Sequence, residues 1–266
     1  MKYGFIGVGN MAQAILEGLA LSDMLKGRQF FLYDIDKNKT ATVAQKYNLN
    51  KCATASEVIL NSDAVVLAVK PDQLGNLLAE LKTPIKQNQP VLVSLPVGIY
   101  MKNIEEMLGF DAPIIRIVAN INTEVFESIT SLCGNETFNK EKSHLKGDII
   151  KLLESIGGVV ELDEKFFDIF TVIASSAPAF VIKFSEALAE AALREGLPKH
   201  IARTIIAQMI SGTGKMLAKN SPQEMTDKIC SPGGTTIVGT TALTAGGFEA
   251  AIHNAAKKCM DRLQGV

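Results

Sequence analysis

Tyr3-Gly4-Phe5-Ile6-Gly7-Val8-Gly9-Asn10-Met11-Ala12 is the stretch that decides the fold. A short apolar run ends at Ile6, the pattern G-x-G-x-x-A follows from Gly7 to Ala12, and Ile15, Leu16 and Leu19 then share one helix face. Glycines at 7 and 9 let backbone come close to a pyrophosphate, and a helix starting there offers unpaired N–H groups and the positive end of its dipole. Strand, glycine turn and helix in this order predict a dinucleotide cradle made of Ile6, Gly7, Val8, Gly9, Asn10, Met11 and Ala12. The plainer alternative is a tight strand-to-helix turn that binds nothing.

Outward from this turn, β-branched runs alternate with amphipathic stretches as far as residue 162. That order predicts an α/β domain over 1–162, a Rossmann-type doubly wound parallel sheet with helices on both faces. Its strands are Tyr3 to Ile6, Phe30 to Tyr33, Ala64 to Ala68, Val91 to Ser94, Ile114 to Val118 and Ile129 to Leu132. Ala64 to Val69 is apolar without alternation, as expected for a strand covered on both faces. Asp34 closes the second strand, 25 positions beyond Gly9, where an acid bonds the adenosine ribose 2′-hydroxyl and repels a 2′-phosphate; this favours NADH over NADPH. Asp36 is a neighbouring candidate, Lys37 softens the repulsion, and Asp34 as a helix cap is the bland alternative. Val69, Lys70 and Pro71 close the third strand on the edge where such sheets bind ligands, leaving Lys70 either facing the cofactor or simply solvated.

After Val159-Val160-Glu161-Leu162 the strand runs stop, and the chain reads with helical period to its end, a second, all-α domain over 163–266. Pro178 opens its first long helix, Phe180, Phe184, Leu188 and Ala191 form one stripe, and Gly196 and Pro198 stop it. Ile201 to Leu217 is apolar nearly all round. A helix of that kind must be covered on every side, and in so small a domain the simplest cover is another subunit, so this is expected to be a dimerisation domain.

With 266 residues, 47% of them hydrophobic, the chain can bury a large core. A formal net charge of −1, with acids and bases interspersed, leaves no electrostatic footprint for nucleic acid or anionic membrane and points to small-molecule chemistry. Cys52, Cys133, Cys230 and Cys259 lie far apart, and no metal-ligand spacing links them to His144, His200 and His253, so a reduced compartment and no metal are expected. The chain runs from Met1 straight into a strand pattern, and no apolar stretch approaches about 18 residues, so a cytoplasmic protein is expected. None of the histidines stands beside a nucleophile or a carboxylate pair, which argues against triad chemistry.

Cys230-Ser231-Pro232-Gly233-Gly234-Thr235-Thr236-Ile237 is a turn of small residues that enters a helical pattern. Consecutive N–H groups at such a helix start make a nest for a carboxylate, and threonine hydroxyls can bond a polar substrate atom. A loop and cap without ligand is the alternative.

These pieces in this order resemble the pyrroline-5-carboxylate reductase family over essentially the whole chain. The residues that carry the resemblance are Gly7 to Ala12, Ala68-Val69-Lys70-Pro71, Cys133-Gly134-Asn135, Ser176-Ala177-Pro178-Ala179, and above all Ser231 to Thr236 followed by Gly246-Gly247-Phe248. The resemblance implies reduction of the cyclic imine pyrroline-5-carboxylate to L-proline with NADPH or NADH, the last step of proline biosynthesis. It also implies an interlocked helical homodimer, in some members assembled further into rings. Carried onto this chain, it puts Val69, Lys70, Pro71 and Asn120 on the nicotinamide side and gives Ser231, Gly233, Gly234, Thr235, Thr236 and Ser176 to the substrate. Thr236, facing the ring nitrogen, is the catalytic residue so implied.

Three stretches depart from the family pattern. The usual Met-Pro-Asn-Thr-Pro stands here as Val118-Ala119-Asn120-Ile121-Asn122, Ser-Gly-Ser-Gly-Pro-Ala as Ala174-Ser175-Ser176-Ala177-Pro178-Ala179, and Ser-Ile-Ala-Ala-Gly as Ser94-Leu95-Pro96-Val97-Gly98. The departures bear on efficiency and substrate more than on fold, and they leave open a paralogue that binds nucleotide without catalysis. A β-hydroxyacid dehydrogenase on the same plan is the other alternative; it needs an asparagine four positions beyond its helix lysine, where Lys183 is followed by Ala187.

Overall fold

Apolar runs without alternation prove to be strands whose successive side chains enter two different cores. The computed structural model describes residues 1–265. Its first half runs β1 (Lys2–Ile6), α1 (Asn10–Leu21), β2 (Gln29–Tyr33), α2 (Lys37–Tyr47), β3 (Asn50–Lys51), α3 (Ala55–Asn61), β4 (Ala64–Leu67), α4 (Pro71–Asn88), β5 (Val91–Ser94), α5 (Met101–Leu108), β6 (Ile114–Val118), β7 (Ser128–Gly134), α6 (Glu136–Glu141), α7 (Lys146–Glu154) and β8 (Gly157–Glu161). The strands make one eight-stranded sheet in the order β3-β2-β1-β4-β5-β6-β7-β8.

Tyr3, Phe5, Ala64, Val66, Val91 and Val93 pack on one face against Ile15, Leu16 and Leu19 of α1 and Leu152 and Leu153 of α7. Ile6, Val65, Leu67 and Leu92 pack on the other against α3, α4 and α5, through Val58, Ile59, Leu74, Leu78 and Ile104. Each fully buried Leu or Ile contributes about 1.5–3 kcal/mol of transfer free energy, so both layers of helices are held strongly.

The sequence pattern predicts a parallel sheet, and the sheet departs from it at one pairing. β7 runs antiparallel to β6, with Ile115 opposite Gly134 and Val118 opposite Ser131. The chain between them is short, with one 3-10 turn at Ile121–Val125, and a parallel return needs a crossover of a dozen residues or more. β3 was not anticipated; two exposed residues carry no apolar pattern.

Strand pairing ends at Glu161, next to the expected change at residue 162. The compact units part further on, as Met1–Ser175 and Ser176–Arg262. The residues between stay with the sheet, because Phe167, Phe170 and Ala174 are buried with Val118. Arg116, in β6 and 1% exposed, pairs with Glu164 at 3.1 Å and lies over the rings of Tyr100 and Phe167, while Tyr100 donates its hydroxyl proton to Asp168. Contrary to the sequence expectation about apolar stretches, the helical run Glu164–Arg194 is long and apolar enough, by length and composition, to cross a membrane. Its first half owes that character to the protein core just described.

The second unit holds α9 (Ala177–Arg194), α10 (Lys199–Leu217), α11 (Pro222–Ile229), α12 (Thr235–Ala245) and most of α13 (Phe248–Leu263); a short α8 (Phe167–Phe170) precedes them in the first. α9 and α10 meet through Ala189, Ala202 and Ile206, flanked by Glu186 paired with Arg203 and Lys199. Much of the remaining apolar surface is uncovered within the unit: Ile205 and Ile182 are exposed, and Phe180, Phe184, Leu188, Leu243, Phe248 and Ile252 line an open groove of about 700 Å³.

Asn135 sutures the antiparallel edge. Its Oδ1 accepts the N–H groups of Ile114 and Phe138 at 3.0 and 2.9 Å, and its Nδ2 donates to Ala112 O at 2.8 Å and Glu105 Oε1 at 2.7 Å. Asn135→Ala leaves these buried groups unpaired and should lower the unfolding free energy by about 2–5 kcal/mol in urea denaturation. A loss under about 0.5 kcal/mol, the size of an ordinary surface change, would show the suture to be dispensable.

Candidate active site

The turn from β1 to α1 is shaped by a backbone approach that no side chain could share. Gly7 has φ +94°, and a Cβ there would lie 2.6 Å from the carbonyl oxygen of Ala68 just beyond β4. Its N–H donates to Tyr33 O at 2.8 Å, so the ends of β1, β2 and β4 converge on one glycine. Gly9 is the N-cap of α1, extended at φ −73°, with no side-chain cap and no acid in the first turn. Among the described residues the first amides of α1 therefore lack side-chain partners, and a Cβ at Gly9 would meet only Ala68 O at 3.9 Å. Uncapped amides behind a glycine with free space fit the pyrophosphate of a dinucleotide. Ile6, Val8 and Ala12 are buried in the cores, so these positions offer backbone alone, while Asn10 is exposed and Met11 half-buried.

Asp34 does something the sequence did not disclose. Its Oδ2 accepts the N–H of Val8 at 2.7 Å and its Oδ1 that of Asp36 at 2.9 Å, so the carboxylate braces the glycine turn from β2. The cap of α2 is Asp36, whose Oδ1 takes the amides of Asn38 and Lys39 at 3.0 Å; Asp34 is not that cap. Ile35, 85% exposed, stands between the two acids as a bare apolar side chain at the carboxyl edge of the sheet. Lys70 is the exposed N-cap residue of α4 with Pro71 at its first position, and Val69 packs into the second core.

At the end of β6, Asn120 is 4% exposed and donates Nδ2 to Ala174 O at 3.0 Å. Ser175 returns the bond, donating Oγ to Ala119 O at 2.6 Å. Two of the three departures from the family pattern thus touch each other. The loop also rests on α1, where Gly18 leaves room: a Cβ there would lie 2.7 Å from Thr123 O. Sequence reading gave Gly18 no role and flagged Ser175 only as part of a stretch that departs from the family pattern; a glycine inside a helix pattern was the signal for Gly18.

In the second unit, Gly233 has φ +70°, and Gly234, the N-cap of α12, donates its N–H to Ser231 O at 3.0 Å. A Cβ at Gly234 would fall 2.5 Å from Ser231 Oγ, so the turn is closed too tightly for a larger residue without shifting that side chain. No side chain caps α12. The hydroxyls of Thr240 and Thr241 are both spent on Ile237 O, whereas among the described residues those of exposed Thr235 and half-buried Thr236 have no partner. Ser176, half-buried at the N-cap of α9, also makes no capping bond. Burial pushes the Cys133 thiol up to about 12, which leaves it unreactive.

Comparison with known proteins covers both units. Residues 164–266 match the family model for pyrroline-5-carboxylate reductase dimerisation, and residues 2–98 match the model for NADP oxidoreductase, coenzyme F420-dependent. The chain is 32% identical over 263 residues to pyrroline-5-carboxylate reductase of Escherichia coli K12, covering 98% of this chain and 96% of that protein. It is 34% identical over 257 residues to pyrroline-5-carboxylate reductase 3 of Rattus norvegicus, with 96% and 92% covered. Among solved structures, the Streptococcus pyogenes 1-pyrroline-5-carboxylate reductase superposes with TM-score 0.89 at 31% identity over 100% of this chain and 99% of that one. The Plasmodium falciparum pyrroline carboxylate reductase, with NADP bound, gives 0.86 at 28% identity over 100% and 97%.

The two turn glycines should separate under mutation. Gly7→Ala places an L-residue in the left-handed region against backbone and should cost about 1–3 kcal/mol of unfolding free energy. Gly9→Ala makes only an ordinary contact with Ala68 O at 3.9 Å and should hold stability to within about 1 kcal/mol. If the turn takes the pyrophosphate as expected, the added methyl should still weaken NADH binding by roughly tenfold, about 1.4 kcal/mol. Fluorescence titration showing unchanged NADH affinity in a folded Gly9→Ala protein would remove the cradle from the ligand.

Proposed function

The chain belongs to the pyrroline-5-carboxylate reductase family, and we propose that it reduces pyrroline-5-carboxylate to L-proline with a nicotinamide dinucleotide, as a cytoplasmic homodimer. The observation that carries this is similarity along the whole chain, joined to a glycine-threonine turn that opens an uncapped helix.

The dinucleotide, when bound, supplies the hydride. Every other task falls to the chain. The first amides of α1 receive the pyrophosphate, with Val69, Lys70, Pro71 and Asn120 on the nicotinamide side. The amides of Gly234, Thr235 and Thr236 take the substrate carboxylate and fix its orientation, and Ser231, Gly233 and Ser176 are the further residues given to the substrate. The free hydroxyl of Thr236 bonds the ring nitrogen. A protonated imine is already electrophilic at carbon, so catalysis here is chiefly positioning. Thr236 contributes beyond binding because the nitrogen changes from planar imine to basic amine during the reaction, and a bond that differs between the two states raises kcat.

The uncovered stripe of α9 and the apolar face of α10 are covered in this reading by a second copy, and rings of such dimers are the further assembly. Asp34 favours NADH, since a 2′-phosphate reaching that edge meets a carboxylate at the end of β2. The test is absorbance loss with pyrroline-5-carboxylate under NADH and NADPH separately. Turnover with higher kcat/KM for NADH is expected. Asp34→Asn keeps the shape and one acceptor oxygen and should narrow the preference; a wild-type enzyme that works better with NADPH would leave Asp34 only its brace on Val8. Normal nucleotide binding with no turnover would favour the non-catalytic alternative.

Thr236→Ala should lower kcat by about 2- to 13-fold, the worth of one neutral hydrogen bond of about 0.5–1.5 kcal/mol. Thr236→Ser, which keeps the hydroxyl, should retain more activity. Loss confined to KM in the alanine variant would make Thr236 a binding residue only.

A further inference from the structure

We infer that Ser175 is a positioning residue for the cofactor side of the site, holding Asn120 in place through the carbonyl of Ala119. The inference rests on the reading of Asn120 as a cofactor residue. No proline stands between Pro113 and Pro178, so nothing covalent fixes the backbone of the loop that follows β6. Beside the bonds of its own turn, such as Thr123 N–H to Asn120 O at 3.3 Å, the loop is tied by reciprocal side-chain bonds to one short segment: Asn120 Nδ2 to Ala174 O at 3.0 Å, and Ser175 Oγ to Ala119 O at 2.6 Å. That segment, Thr171–Ser176, is a π-helical turn, a form that concentrates at functional sites because its extra residue redirects backbone groups.

Three observations make the Ser175 bond more than local decoration. Ala119 and Asn120 are 3% and 4% exposed, so their contacts are made with the protein. Asn120 Oδ1 is buried without a partner among the described residues, so its amide is held only through Nδ2 and through the backbone that Ser175 fixes. On the far side the same loop lies against Gly18 of α1, the helix whose first turn forms the cradle. Ser175 is also the last residue of the first compact unit, so the bond fixes the loop to the point where the chain leaves that unit.

The experiment uses the full-length protein with Ser175→Ala, Ser175→Gly and Ser175→Thr. Without ligand, amide hydrogen exchange at residues 120–123 should quicken in the alanine and glycine variants and stay near wild type in the threonine variant, which keeps the hydroxyl. Fluorescence titration should give a dissociation constant for NADH raised by about 2- to 13-fold in the alanine and glycine variants, the worth of one hydrogen bond. KM for pyrroline-5-carboxylate should stay close to wild type, because the carboxylate turn is untouched. Quickened exchange with unchanged NADH affinity, or unchanged exchange, overturns the inference. Wild-type protein that binds neither NADH nor NADPH overturns the proposed function itself, and the two failures are told apart by that first titration.

Discussion

Strands β1, β4 and β5 carry apolar side chains on both faces, and both faces must leave water. Tyr3, Phe5 and Val66 go one way, Ile6, Val65 and Leu67 the other, so helices have to lie on each side and the returns between these strands run as crossovers. Parallel pairing with crossover helices follows, and with it the feature that matters for chemistry: the strand ends collect along one edge. The cradle at Gly7, the acids after β2, Lys70 after β4 and Asn120 after β6 all stand at carboxyl ends of strands because the topology leaves them there.

The edge is then refined by backbone contacts too close for side chains. Gly7 lets β1 turn against Ala68, and Gly18 lets the loop after β6 settle on α1. Asp34 adds a charged brace, its carboxylate gripping the amide of Val8 from the neighbouring strand. A charge-assisted bond of this kind is worth more than a neutral one and fixes the turn before any ligand arrives. That preorganisation suits a reaction in which the protein mainly holds two partners in place.

The helical unit obeys the opposite economy. α10 buries only Ala202 and Ile206, and a groove of aromatic and aliphatic side chains stays open along α9 and α13. Surface of that size and character marks a site of association, in keeping with the dimerisation model that matches residues 164–266. The Ser231 to Thr236 turn, which the proposed function gives to the substrate, lies in this same unit.

Local chemistry made much of this legible. G-x-G-x-x-A after a strand, unbroken apolar runs, proline at helix starts and the Ser-Pro-Gly-Gly-Thr-Thr turn each have a short-range physical meaning, so the sheet, the glycine turn into α1 and the all-helical second half could be read from residues alone. What escaped depends on pairs far apart in the chain. The antiparallel β7 follows from a connection too short to cross over, and residues 163–175 stay with the sheet because Phe167 and Arg116 find each other in the fold. Asp34 binding Val8, and Ser175 binding Ala119 across 56 positions, are hydrogen bonds whose partners no local pattern announces. Sequence determines which groups need a partner, because polarity and periodicity are properties of the residue and its neighbours; only the tertiary structure decides which partner each receives, because that is a matter of distance in space.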